Sequence, residues 1–111
     1  MKKILLALLI AALASPLAAE TWKSVALMDA GCASKSASLE NPENHPTSCA
    51  LRCAKNGYGV VVDGKFIKFD EKGSELAAAA LKKTEKKDHL TATVSGELKD
   101  DVIAVTELTL D

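Results

Sequence analysis

The chain has 111 residues, with 14 basic and 15 acidic side chains, a formal charge of −1, and aromatic residues at only 4%. That length supports one domain, and the even charge balance with few aromatics argues against the basic groove and stacking platforms that single-stranded nucleic acid requires. Three cysteines and two histidines are the remaining carriers of chemistry, and what thiols become depends on the compartment.

The N-terminus speaks to compartment. Met1-Lys2-Lys3 is a positive n-region, Ile4 to Ala14 is an unbroken apolar run, and Ser15-Pro16 leads into small residues ending at Ala19, the pattern of a secretory signal peptide. The apolar run is shorter than the roughly 20 residues that cross a bilayer, so cleavage after Ala19 is expected, with no stable membrane insertion afterwards. The first cysteine is Cys32, too far downstream for lipoprotein-type modification. The expected organisation is residues 1–19 as signal peptide and 20–111 as a single domain, periplasmic or secreted. Removing Lys2 and Lys3 from the 14 basic side chains leaves 12 against 15 acidic ones. A domain this small gains from a disulfide or metal staple.

In chain order, Trp22 to Met28 reads as a first strand, although its alternation is only moderate. Asp29 to Asn44 is rich in Ser, Ala, Asn, Gly and Pro, reads as a loop, and carries Cys32. Pro46 suits a helix start and Asn56-Gly57 a left-handed stop, so Thr47 to Lys55 reads as a short helix bearing Cys49 and Cys53. Tyr58 to Val62 and Lys65 to Asp70 flank Asp63-Gly64, a strong two-residue hairpin signal. A type I′ turn there makes Gly64 more demanding than Gly73, so a β-branched residue at 64 is expected to do more damage.

Ser74 reads as the cap of a helix through Lys83 with Leu76, Ala80 and Leu81 as its apolar stripe. Leu90, Ala92 and Val94 alternate with polar residues in a fourth strand, and Val102 to Leu110 form the fifth. Within the fifth, Ile103 and Val105 share one phase and Leu108 and Leu110 the other, which places a bulge near Thr106. The expected fold is mostly β with α: a small five-stranded OB-like barrel with a cysteine-bearing short helix after strand 1 and a helix between strands 3 and 4. An α+β sandwich with one face open to solvent is the alternative.

The tryptophan-led first strand, Asp29-x-x-Cys32, His45 ahead of Cys49-x3-Cys53, the DGK hairpin, and V-x-G-x-L-x-x-D-x-I-x-V from Val94 to Val105 together resemble a family of small exported bacterial domains of unknown function. The resemblance spans nearly all of 20–111, with a longer stretch between Cys32 and His45. It implies an OB-like barrel and an exported location, and no assigned activity.

Residues four apart on a helix lie one turn apart, with Cα atoms about 6 Å from each other, so Cys49 and Cys53 can face one metal ion. Adding Cys32 and His45 completes a tetrahedral Cys3His set suited to zinc or copper. His45 must then fold back at the helix start, and Pro46 favours this by disfavouring helical backbone before it. The same cysteines also allow a disulfide from Cys32 to one helix cysteine with a spare thiol, or a redox-active pair. The expected function is a non-enzymatic metal-binding module, with a disulfide-stapled interaction domain as the alternative. No Ser/His/Asp set, H-E-x-x-H or phosphate-cradling loop stands in the chain, and the run Lys82 to Asp88 mixes four lysines with two acids, a solvated helix end rather than a nucleic-acid patch. N-terminal sequencing of exported material should begin at Glu20; retention of Met1 in a membrane fraction would overturn both the cleavage and the oxidising-compartment argument.

Overall fold

The computed structural model describes residues 20–34 and 39–111; the signal-peptide assignment, residues 1–19, lies outside the described residues. The strands are β1 (Glu20–Asp29), β2 (Tyr58–Val62), β3 (Lys65–Phe69), β4 (Thr91–Lys99) and β5 (Val102–Leu110). Between them lie the helices α1 (Ala30–Ala33), α2 (Thr47–Arg52) and α3 (Glu71–Lys83), with single 3₁₀ turns at Pro42–Asn44 and Ala54–Asn56. The molecule is mostly β with α. Its strands are hydrogen-bonded in the order β1-β2-β3-β5-β4, and β4 pairs back onto β1, so the small sheet closes into a ring.

Local chemistry explains most boundaries. Asp63 and Gly64 take φ of 51° and 77°, the paired positive values of a type I′ turn, and they join Val62 to Lys65 as neighbours across the hairpin. In β5 the register passes from Ser95 opposite Glu107 to Gly96 opposite Val105, which makes Thr106 the extra residue of a bulge. Its hydroxyl donates to the Ser95 carbonyl at 3.1 Å, giving that group a partner where the ladder is interrupted. The bulge resets the phase so that Leu108 and Leu110 pack against the same core as Ile103 and Val105.

The helix before Gly57 is shorter than expected: α2 ends at Arg52 and a 3₁₀ turn, Ala54–Asn56, completes the segment. The helix after β3 begins earlier than Ser74. Asp70 is its cap, accepting from the Gly73 N–H at 2.9 Å, while the Ser74 hydroxyl accepts from the Tyr58 N–H at 3.0 Å. Both residues are good caps by type, and the partners available in the fold separated them. Asp70 also seals the ring. The β3–β5 contact is parallel and short, Lys68 opposite Val102 and Phe69 opposite Ile103, and it is extended by the Asp70 N–H to the Ile103 carbonyl at 2.9 Å and the Val105 N–H to the Asp70 carboxylate at 3.2 Å.

Two apolar clusters lie on opposite faces of β1 and β2. Leu27, Tyr58, Val60, Phe69, Leu81, Val94 and Ile103 fill the main core inside the ring. Ala26, Met28 and Val61 point the other way, yet they are buried as well, packed with Cys32, Leu39 and Phe66. Cys32 and Leu39, both from between β1 and β2, therefore cover part of the outer surface. Burial on both faces over residues 26–28, together with the register shift between Trp22 and Val25, is why the alternation of the first strand is weak in the sequence.

The relative demands of the two glycines differ from the sequence expectation. Gly64 needs its positive φ but nothing lies within 4 Å of a Cβ there, whereas a Cβ on Gly73 would come within 2.5 Å of Val105 Cγ2 and 2.8 Å of Phe69 Cβ. Gly73, Ala77 and Leu81 are the buried stripe of α3, and the missing side chain at 73 is what lets the helix approach β5. Gly73→Val should lower the melting temperature more than Gly64→Val, since overpacking a fixed contact typically costs about 1–3 kcal/mol per added group. Thermal melts of the two variants check the order, and the reverse order would mean that α3 stands farther from β5.

Candidate metal centre

The site is built at the end of β1. Asp29 pairs with Tyr58 across the sheet and then leaves the strand as the cap of α1, its Oδ2 accepting from the Cys32 N–H at 2.8 Å. The Ala30 N–H donates to the Gly57 carbonyl at 2.9 Å. These bonds turn the chain sharply and hold Cys32 beside the strand that precedes it.

His45 arrives from just ahead of α2, 16 residues beyond Asp29 in the chain. The 3₁₀ turn at Pro42–Asn44 is followed by extended backbone at His45, φ −72° and ψ 121°, the conformation that a following proline favours. The flanks are pinned: the His89 N–H donates to the Glu43 carbonyl, and the Thr47 N–H to that of Lys87, each at 2.7 Å, while the Thr47 hydroxyl donates to the Lys86 carbonyl at 2.7 Å. The expected fold-back at the helix start is present, and it brings His45 Nε2 to 2.6 Å from Asp29 Oδ1. The side chains are 8% and 0% exposed, respectively.

Donor atoms of Asp29, Cys32 and His45 consequently lie within 4.8 Å of one another, close enough to share a metal ion. Cys32 and His45, two of the four candidate ligands, are thus brought together. Asp29 was not among the predicted ligands. Its signal was an Asp three residues before a helical N–H, the pattern of a side-chain cap, but nothing local says that its second oxygen is used by a residue 16 positions away. Cys49 lies in α2 and Cys53 at its C-cap, with the Cys53 N–H on the Cys49 carbonyl at 3.1 Å. Neither belongs to the 4.8 Å group, although both are near enough for their charge to act on Cys32. All three cysteines are partly buried free thiols, and none is bonded to another.

The surroundings hold the Cys32 thiol protonated. Burial pushes its pKa up from 9.0 to about 11, helped by the charge of Asp29, the charge of Cys53, a hydrogen bond to Asp29 and the charge of Cys49. Tyr58 is raised by the same causes, desolvation first and then Asp29 and Cys53, and its hydroxyl donates to the Ala50 carbonyl at 2.7 Å. Because the fold favours the neutral thiol, this contribution to stability is complete below pH 9.0 and declines as pH rises toward about 11. A divalent ion reverses this local logic by binding the thiolate outright. Thiolate and imidazole are donors that zinc accepts, and added thiolates shift the set toward copper(I), while the two carboxylate oxygens of Asp29 are already engaged by the Cys32 N–H and by His45 Nε2.

Comparison with family models, with curated proteins and with solved structures finds no match for this chain. In metal-free, reduced protein, alkylation mapped by mass spectrometry should leave Cys32 nearly unmodified at pH 8, with labelling that rises toward pH 11. Labelling of Cys32 that is already complete at pH 8 would contradict the arrangement around it.

Proposed function

We propose that this chain is a small exported, non-enzymatic module on an OB-like barrel that binds a soft or borderline metal ion, zinc or copper, through Cys32, His45, Cys49 and Cys53. The observation that carries this reading is the mutual approach, within 4.8 Å, of donor atoms from Asp29, Cys32 and His45, residues up to 16 positions apart in the chain. Under this reading Cys49, in α2, and Cys53, at its C-cap, supply the remaining thiolates; they lie outside the 4.8 Å group but close enough for their charge to act on Cys32. The ring order, with a helix between β3 and β4, supports the barrel assignment.

Ligand classes common on OB-like barrels fit less well. Such barrels bind oligonucleotides or oligosaccharides on an outer face of the sheet and its flanking loops. Here the outer residues Ala26, Met28 and Val61 are covered by the protein's own chain, and residues 20–111 are net acidic.

Titration of the fully reduced protein with zinc and with copper(I), followed by chelator competition, tests the proposal. Cys32→Ser, Cys49→Ser and Cys53→Ser should each abolish stoichiometric binding, because a hydroxyl does not replace a thiolate ligand. His45→Ala should weaken binding less, since three thiolates remain and water can fill the fourth position. Absence of binding by reduced wild type would overturn the metal reading, and a single free thiol in the intact non-reduced protein would instead identify a disulfide staple.

A further inference from the structure

We infer that Asp29 is the positioning residue of the site: it holds His45 as the Nε2–H tautomer, which leaves Nδ1 as the nitrogen whose lone pair is free for the metal. This assignment rests on the metal-binding reading above and adds which atom binds and what aims it.

A neutral imidazole has one N–H and one lone pair, and the partner of the first decides where the second lies. His45 Nε2 is 2.6 Å from Asp29 Oδ1, and a carboxylate oxygen accepts, so Nε2 carries the proton. The other oxygen of Asp29 is engaged by the Cys32 N–H at 2.8 Å. With the Asp29 side chain 0% exposed and that of His45 8%, water does not compete effectively for this bond. Metal-binding histidines commonly donate their second N–H to a carboxylate in this way, which orients the ring and raises its basicity. The same carboxylate holds the backbone of Cys32, so one buried group sets the positions of two ligands that lie 13 residues apart in the chain.

The test is nitrogen-15 NMR of histidine-labelled reduced protein, using zinc(II) and then cadmium-113 as the probe metals. The chain has two histidines, and His89→Gln assigns the signals of His45. Metal-free protein should show His45 protonated at Nε2. On metal addition Nδ1 should shift and couple to cadmium-113, while the Nε2 proton stays and exchanges slowly. Asp29→Ala should reduce metal affinity by about 10–100-fold, with mixed tautomers at His45. Asp29→Asn retains a carbonyl acceptor for one of the two bonds and should lose less.

A proton on Nδ1 in metal-free protein, or cadmium coupling to Nε2 with uptake intact, would overturn the assignment and leave metal binding standing. An Nε2–H tautomer with no metal uptake would overturn the metal reading and the ligand role of Nδ1 with it. If Asp29→Ala fails to fold, the tautomer and coupling in wild type still decide the matter.

Discussion

The carboxylate of Asp29 is the group on which the rest of the site depends. Burying a carboxylate without partners costs several kcal/mol, and this one is fully buried. The cost is offset by one backbone N–H and one imidazole N–H, from Cys32 and His45. Those two bonds do more than solvate a charge. One bends the chain out of β1 into α1, and the other draws His45 back to the same point.

Asp70 repeats this device at the other weak point of the fold. Asp29 is the last residue of β1 and Asp70 directly follows β3; each caps the helix that follows and uses its carboxylate to hold a group far along the chain, His45 for Asp29 and the Val105 N–H for Asp70. The first organises the candidate metal site. The second supports the short parallel contact that closes the ring, where only two residue pairs are in register. Removing either carboxylate exposes the fold to two losses at once, a helix cap and a long-range tie.

The covered outer face follows from the first of these ties. With Cys32 and His45 both held at the end of β1, Leu39, between them in the chain, packs on Ala26, Met28 and Val61 opposite the main core. Residues 26–29 of β1 and 58–61 of β2 are thereby buried on both sides. The ring's outer surface at these strands is covered by the protein's own chain, and the candidate ligands Cys32 and His45 meet at the end of β1.

What was legible in the sequence was what local stereochemistry dictates. The Asp63-Gly64 turn, the phase switch at Thr106, the span of β5 and the extended backbone at His45 each follow from residues that are neighbours in the chain. The thiol and imidazole candidates were legible by type, and Cys32 and His45 do meet. The choice of Asp70 over Ser74 as helix cap, the contact that makes Gly73 indispensable, and the capture of His45 by Asp29 were decided only in three dimensions. Each depends on a partner distant in sequence, Val105 in the first two cases and a ring 16 residues away in the third, and a side chain's capacity for one hydrogen bond or one contact does not reveal which distant group will take it.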